Sequence, residues 1–199
     1  MDGLKEKVVL ITGAGKGSGR ILAKVFAERG SLVAANDISP INVEEVVNQI
    51  VADGGRAKAY IEDVAKKVGV QHVINDVEDD FGQIDIVINH AAVEPHTPLL
   101  EMDEWDWHRV LDVNLTGAFL MTQSVGRLMR AQGSGVIIHL VTPDSPKKSN
   151  EAAFMASMYG LEEFAHQAAC ELSPYGIQVH AVKNSPETII ERVLALVDR

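Results

Sequence analysis

A glycine-rich turn near the start of the chain combines residue types that bind phosphate. The stretch "TGAGKGSG" follows a continuous apolar run typical of a buried strand and precedes a helical pattern. Its glycines, Gly13, Gly17 and Gly19, allow a tight bend and a close approach of the backbone to phosphate. The helix that begins behind them supplies unpaired N–H groups and a positive dipole. The turn therefore predicts a nucleotide site, with Lys16 and Ser18 as its polar loop side chains.

An acidic residue extends this predicted site. Asp37 ends the second predicted strand, eighteen residues after Gly19, where a carboxylate can accept hydrogen bonds from a ribose diol. Its charge would repel a 2′-phosphate, so the sequence favours NAD over NADP. Lys16 acts in the opposite direction, but one mobile lysine does not offset repulsion at close range. A cap at the end of the strand is the structural alternative for Asp37.

These residues must be positioned by alternating strands and helices. Short β-branched runs predict strands at 7–13, 31–37, 57–63, 84–90, 135–141 and 177–182. Longer amphipathic stretches predict helices at 19–30, 42–53, 66–81, 103–131, 150–173 and 186–199. This alternation predicts an α/β fold, a doubly wound parallel sheet of Rossmann type that forms a single domain over 1–199. The carboxyl ends of the strands, and any ligand site, then lie along one edge.

Composition excludes several other classes of function. The chain has 199 residues and a net charge of −10, which argues against a nucleic-acid surface. Its single cysteine, Cys170, excludes an internal disulfide, and its histidines show no metal-like spacing. There is no apolar run of about 18 residues and no signal-peptide cleavage pattern. We therefore expect a cytoplasmic protein that binds no membrane, nucleic acid or metal.

Several motifs together resemble the short-chain dehydrogenase/reductase family over nearly the whole chain. The glycine turn is similar to that family's Thr-Gly-x-x-x-Gly-x-Gly, with Ser18 where Ile is usual. The segment "EDV" resembles the family's adenine contact and assigns Asp63 and Val64 to the cofactor. In "NHAA", Asn89 and Ala91 match the family's Asn-Asn-Ala-Gly, whereas the residues after each of them depart from it. "DVNLTGAF" at 112–119 matches closely, and "SPYGIQVHAV" at 173–182 resembles the family's usual entry into the sixth strand.

The resemblance also assigns four catalytic positions, of which one is retained. The family uses a Tyr to exchange a proton, a Lys to lower the pKa of that Tyr, a Ser to orient substrate and an Asn to anchor a water. Asn114 falls on the Asn and Thr142 on the Ser, while Phe154 and Met158 replace the Tyr and Lys. Phe cannot titrate, and Met carries no ammonium group. The resemblance thus implies retained volume without the proton donor.

Three other residues are candidates for a substitute proton donor. Tyr159 lies five residues after Phe154, a rotation of about 140° around a helix, so it should face away from the cofactor. His139 lies on a strand, where a satisfied core histidine is expected. Asp144 follows a proline in a loop near the expected nicotinamide, where a solvated carboxylate is the simpler interpretation.

The C-terminal segment departs from the family pattern too. After the sixth strand the family has Pro-Gly, a loop that covers the substrate, a helix and a final strand. Here Asn184 and Ser185 stand at the Pro-Gly positions, Thr188 is a possible contact to the nicotinamide amide, and a helix follows directly. We therefore expect the last strand and the substrate lid to be missing, which would weaken hydride transfer.

Three hypotheses about function follow, in order of preference. The first is an NAD(H)-binding protein related to the dehydrogenases that is weakly active or inactive. The second is an active NAD-dependent alcohol or ketone oxidoreductase with an atypical proton donor, and the third is a structural subunit without nucleotide binding. The helix at 150–173 is apolar around most of its girth, so a homodimer is predicted as well. The identity of the substrate does not follow from the sequence.

Overall fold

The molecule is a parallel sheet covered by helices on both faces. The structure, a computed structural model, describes residues 3–142, 150–185 and 187–197. Its six strands are β1 (Val8–Thr12), β2 (Leu32–Asp37), β3 (Arg56–Ile61), β4 (Ile86–Asn89), β5 (Gly135–Val141) and β6 (Ile177–Lys183). Its α-helices are α1 (Gly17–Glu28), α2 (Pro40–Ala52), α3 (Lys67–Phe81), α4 (Glu104–Leu111), α5 (Gly117–Gln132), α6 (Ala152–Leu172) and α7 (Ile189–Val197).

The strand order places a crevice next to β1. The sheet runs β3-β2-β1-β4-β5-β6, and every pair is parallel. The chain moves outward from β1 to β3 and then returns to the other side of β1, so the order reverses between β1 and β4. Ligands bind at such a switch point, outside the carboxyl ends of the strands. The predicted doubly wound parallel sheet is confirmed.

Two apolar clusters hold the layers together. All five residues of β1 are buried, as expected for a strand covered on both faces. On one face the side chains of α1, α2 and α7 form one cluster with the sheet, represented by Phe26, Val46 and Ile189. On the other face α3, α5 and α6 form the second, represented by Val73 and Met121. Burial of these side chains is the main favourable contribution to folding.

The long helix predicted over 103–131 has the expected extent, but it is interrupted. A five-residue π-helical segment, Asp112–Thr116, separates α4 from α5. The wider turn contains Asn114, whose buried amide bonds both to the loop after β4 and to α6. Sequence periodicity alone does not show such a widening, because it depends on contacts made by other segments. π-Turns occur frequently at functional sites.

The connection from β6 to α7 is short. Five residues, 184–188, separate the two elements, and the direct entry into a helix agrees with the prediction. Ile189 and Val193 of α7 are fully buried against the cluster that contains α1. Among the described residues, no helix has the length and apolar character needed to cross a membrane.

Candidate nucleotide-binding site

The glycine turn is shaped by close contacts that leave no room for side chains. Gly13 has a φ of +65°, and a Cβ atom placed there would lie 2.8 Å from the Cα of Ala91. A Cβ atom on Gly19 would lie 2.5 Å from the carbonyl oxygen of Gly13. Both distances are shorter than real Cβ contacts. The turn therefore requires glycine for steric reasons at these two positions, whatever it binds.

The turn is fastened to the neighbouring strand by one hydroxyl group. Thr12 ends β1, and its Oγ1 accepts hydrogen bonds from the backbone N–H groups of His90 (3.1 Å) and Ala91 (3.2 Å). On the other side, the Ala14 N–H donates to the carbonyl of Asn36 in β2. The ends of three adjacent strands are thus fixed relative to one another at the crevice.

Asp37 is oriented by two backbone donors. Its Oδ2 accepts from the Gly15 N–H at 3.0 Å and its Oδ1 from the Ser39 N–H at 2.9 Å. A carboxylate has about four lone-pair sites, so each oxygen can accept a further hydrogen bond. Both readings of Asp37 from the sequence therefore have a physical basis: it caps the turn after β2, and it presents acceptors to the crevice.

The crevice itself is a cleft of about 710 Å³. Six residues predicted from the sequence to bind the cofactor line it: Gly13, Lys16, Asp37, Asp63, Val64 and Ala91. Gly17, Ser18 and Gly19 form the first turn of α1 directly beside it. Sequence reasoning missed His90, Trp105 and Arg109, which also line the cleft. In the sequence, His90 is marked only by its departure from a family motif. No local pattern in the sequence indicates that α4 forms one wall of the cleft.

The adenine end of the predicted site is held by short-range bonds. Asp63 Oδ1 accepts from the Ala65 N–H at 3.0 Å, and Lys66 Nζ lies 3.6 Å from Asp63 Oδ2. Gly117, at the start of α5, approaches so closely that a Cβ atom there would lie 3.0 Å from the Val64 carbonyl oxygen. The segment after β3 is thereby clamped between α3 and α5.

Asn89 has a different position from its predicted neighbours. It is buried, and its Nδ2 lies 3.3 Å from His139 Nδ1, with Thr122 Oγ1 on the other side of that ring at 3.4 Å from Nε2. The Thr122 hydroxyl donates to the Ala118 carbonyl, so it can accept from His139 Nε2–H. Burial lowers the pKa of His139 to about 4. His139 is therefore a satisfied, neutral core histidine, as predicted.

Asn114 uses its whole amide group within the protein. Its Oδ1 accepts from the Val93 N–H at 2.8 Å, and its Nδ2 donates to the Val93 carbonyl and to Ser157 Oγ, both at 3.0 Å. Ser157 in turn donates to the carbonyl of Phe154. The side chain thus ties the loop after β4 to α6. Its role as a catalytic residue stays a prediction; both amide hydrogens are used, and Oδ1 keeps one lone pair for a further hydrogen bond.

The positions expected to carry the Tyr and Lys are apolar and buried. Phe154 is 6% exposed and Met158 is 2% exposed, on the face of α6 that also buries Ser157. Tyr159 is 54% exposed, so it faces away from this buried face as predicted and is not a core residue. Thr142 follows β5 and is half-buried. Asp144 lies outside the described residues.

The start of α1 contacts the segment after β6. Ser18 Oγ donates to Asn184 Oδ1 at 2.6 Å, which joins the nucleotide turn to the position where the resemblance expects proline. Thr188 Oγ1 is buried and has no hydrogen-bond partner among the described residues. Its predicted contact to the nicotinamide amide stays a prediction.

One group of three side chains in the described ranges could hold a metal ion. Ligand atoms of Glu94, His96 and Glu151 lie within 4.8 Å of one another. Glu94 and His96 are exposed, and exposed acidic groups are common without a metal. Glu151 is buried, and the absence of a metal site stays a prediction.

A family model described as short chain dehydrogenase matches residues 7–187. The chain belongs to this family. It is 37% identical over 187 residues to a 3-oxoacyl-[acyl-carrier-protein] reductase of Synechocystis sp. (strain ATCC 27184 / PCC 6803 / Kazusa), which covers 92% of this chain and 74% of that protein. The resemblance inferred from the motifs is confirmed.

Solved structures of short-chain dehydrogenases agree with the fold. A metagenomic short-chain oxidoreductase in complex with NADP superposes with a TM-score of 0.92 at 27% identity, covering 99% of this chain and 92% of that one. A xylitol dehydrogenase bound to NAD⁺ gives a TM-score of 0.85 at 32% identity, covering 90% of this chain and 70% of that one. Both nicotinamide cofactors thus occur among similar structures.

The residues of this short-chain dehydrogenase fit a nicotinamide dinucleotide. The glycine turn provides a cradle that any Cβ atom would fill, at the N-terminus of α1, where backbone N–H groups and the helix dipole favour phosphate. Asp37 offers acceptors suited to a ribose diol, and Asp63 with Val64 would border the adenine. When bound, such a cofactor supplies or accepts a hydride.

Proposed function

We propose that this short-chain dehydrogenase binds NAD(H) and catalyses oxidoreduction of an alcohol or ketone weakly or not at all. The observation that carries the proposal is the burial of Phe154 and Met158 at the Tyr and Lys positions. General acid–base catalysis contributes about 10²–10⁴-fold to a rate. An apolar pair supplies neither the proton nor the charge that tunes it. Binding residues are retained, so binding should persist without efficient chemistry.

The state of the other two catalytic positions supports the same proposal. Asn114 has both amide hydrogens and its oxygen engaged with Val93 and Ser157, so its side chain has little capacity left for a relay water. Thr142 retains a hydroxyl that could orient a carbonyl, but a hydroxyl of ordinary pKa is a poor general acid. Asn114 and Thr142 are therefore proposed as remnants of the catalytic set.

The deciding experiment is a titration followed by an activity assay. Trp105 lines the cleft, so its emission should be quenched as NADH binds. We expect saturable binding, together with turnover of NADH against a panel of ketones that is at least about 100-fold below a family member with an intact Tyr and Lys.

Two outcomes would favour the alternatives. Ordinary turnover that falls in Thr142→Ala or Asn114→Ala would favour an active enzyme with an atypical donor. Absence of NAD(H) and NADP(H) binding at millimolar concentrations would favour a structural subunit.

We further propose that NAD is preferred over NADP. The Asp37 carboxylate is held by the Gly15 and Ser39 N–H groups at the end of β2, and a 2′-phosphate bound beside it would meet a like charge. We expect Asp37→Ser to lower the NADH-to-NADPH affinity ratio by about tenfold or more. Asp112→Ser is the matched control, because Asp112, at the start of the π-helical segment, lines the same cleft. An unchanged ratio in Asp37→Ser would contradict the preference.

A homodimer through α5 and α6 is proposed as well. A groove of about 380 Å³ at these helices is lined by apolar and aromatic residues such as Phe119, Phe164 and Tyr175, together with polar and charged ones such as Arg130 and Glu171. Phe119 and Phe164 meet edge to face with ring centroids 6.1 Å apart, and Phe119 remains 39% exposed. A mass of about 43 kDa by light scattering, twice 21.6 kDa, is expected. A monomer at micromolar concentration would contradict it.

The single Cys170 is in keeping with a cytoplasmic location.

A further inference from the structure

The nucleotide turn is built around an imidazole ring. His90 comes directly after β4, and its Nδ1 lies 3.0 Å from the carbonyl oxygen of Gly13. Cβ atoms placed on Gly13 and Gly19 would lie 3.0 Å and 2.6 Å from the same Nδ1. A Cβ atom on Gly17 would lie 3.8 Å from Nε2. All three glycines of the motif therefore border this one ring, which also lines the cleft.

The contact with Gly13 fixes the tautomer of the ring. A carbonyl oxygen only accepts hydrogen bonds, so Nδ1 carries the proton when this bond is made. In the neutral ring, Nε2 is then a bare lone pair on the side of Gly17, where α1 begins. An anion held at this helix start would be repelled by the lone pair and attracted by a protonated Nε2–H.

We infer that His90 couples binding of the cofactor's diphosphate to the uptake of a proton, so that NAD(H) binds more tightly as the pH falls. The inference rests on the proposed binding of NAD(H). His90 would thus determine specificity for a dianionic group. It does so through the charge of its ring, which borders the three glycines of the turn.

The electrostatic surroundings of His90 give the direction of the coupling. Burial lowers the pKa of His90 below its ordinary value, while the Gly13 carbonyl and the Asp37 carboxylate oppose that shift in part. The protein without ligand thus keeps the ring neutral near pH 7. A bound diphosphate adds negative charge and raises the pKa of His90.

Other charged groups line the same cleft. They are the carboxylates of Asp37, Asp63 and Asp112 and the cations Lys16, Lys66 and Arg109. Histidine is the one side-chain type whose ordinary pKa lies between pH 5 and 8. Among the described residues, only His90 and His108 are histidines that line this cleft. The pH dependence can therefore be assigned with two substitutions.

The sign of the effect follows from linkage. If the pKa of His90 is higher in the NADH complex than in the free protein, the NADH affinity rises as the pH falls from the pKa in the complex to the pKa in the free protein. Below the pKa in the free protein, the affinity no longer changes with pH. Each unit by which the cofactor raises the pKa of His90 corresponds to a tenfold gain in affinity. We expect NADH to bind more tightly at pH 5.5 than at pH 8, by an amount set by the size of that rise.

Calorimetric titration of NADH tests this directly. Measurements in two buffers with different ionisation enthalpies give the number of protons taken up on binding. We expect a fractional uptake near pH 6 in the wild-type protein and in His108→Asn, and none in His90→Asn. Asparagine keeps a polar group at position 90 but does not titrate. Circular dichroism at each pH verifies that every variant is folded.

The outcomes separate this inference from the proposed function. NADH binding with the same proton uptake in His90→Asn as in the wild type overturns the role of His90 and leaves cofactor binding intact. NADH binding without any pH dependence in the wild type does the same. Absence of NADH binding at every pH overturns both. If His90→Asn does not fold, His90→Gln replaces it, with the same expected loss of proton uptake.

Discussion

The nucleotide cleft and the start of α6 belong to the same sheet edge, yet they differ in how their polar groups are used. In the cleft, Asp37 is held by two N–H groups and still has acceptor capacity toward open space. At α6, Phe154 and Met158 are buried, and Asn114 and Ser157 bond to each other. The cleft keeps hydrogen-bond acceptors available for a ligand, whereas the polar groups at the start of α6 bond to other groups of the protein.

If the proposed function is correct, binding and chemistry are separable in one fold. The glycine turn depends on backbone geometry, which is fixed by steric contacts such as those of Gly13 and Gly19. The proton donor depends on two side chains that can be exchanged for apolar residues of similar volume without disturbing α6. A dehydrogenase can therefore lose its acid while its cofactor site persists.

The largest expected effect is a gain of activity in Phe154→Tyr with Met158→Lys. The new hydroxyl supplies a proton, and the new ammonium lowers the pKa of that hydroxyl. We expect kcat for ketone reduction to rise by about 100-fold, at the low end of the usual acid–base contribution. Phe154→Tyr alone should gain less.

Tyr159→Phe is the control for this gain, because Tyr159 is exposed and should not affect the rate. NADH titration of the double variant shows whether its fold is retained, which matters because position 158 is buried. A folded double variant with the wild-type rate would contradict the proposal that the missing Tyr and Lys limit the chemistry.

The second effect concerns the core beneath both regions. The pKa of His139 is about 4 in the folded protein, against about 6.5 when unfolded, so between these values the unfolded state binds more protons. Stability should be fully present above about pH 6.5 and fall by about 3 kcal/mol as the pH drops toward 4. Urea unfolding at several pH values measures this loss.

His139→Gln should show a shallower dependence by that amount, since glutamine does not titrate. His166→Gln is the matched control, because His166 is exposed on α6. Equal slopes for wild type and His139→Gln would show that this ring does not stay neutral in the core.

The third and smallest effect separates steric fit from backbone strain in the cleft. Gly13 and Gly54 both have positive φ, +65° and +85°, so alanine is strained at either position. Only at Gly13 does the added methyl collide, with Ala91; at Gly54 nothing lies within 4 Å. We expect Gly13→Ala to weaken NADH binding by at least about tenfold, and Gly54→Ala to leave it unchanged. Equal binding by both variants would contradict the steric account of the turn.

Much of the cleft was predictable from sequence, because its signals are local. The glycine turn, Asp37 and the segment at Asp63 each lie where a strand ends, and a parallel sheet brings strand ends to one edge. His90 could have been included, because it departs from the family motif within a matched segment. Trp105 and Arg109 could not, because α4 reaches the cleft only through tertiary contacts.

The interruption of the long helix was not predictable from the sequence. Periodicity indicates one helix across 103–131, but the π-helical segment forms where Asn114 must reach both Val93 and Ser157. The position of Asn89 is a similar case. Its motif assigns it to the cofactor, which stays a prediction, and the sequence did not indicate that its Nδ2 would lie 3.3 Å from His139 Nδ1 of β5 in the core.

The sequence by itself determined the order of strands and helices, the family and the apolar residues at positions 154 and 158. Each of these depends on residue types at fixed spacings along the chain. Only the tertiary structure decided which polar groups remain available, because that depends on partners distant in sequence, such as Ser157 for Asn114 and Gly13 for His90. A hydrogen bond already made inside the protein cannot be offered to a ligand, and such bonds are visible only once the chain is folded.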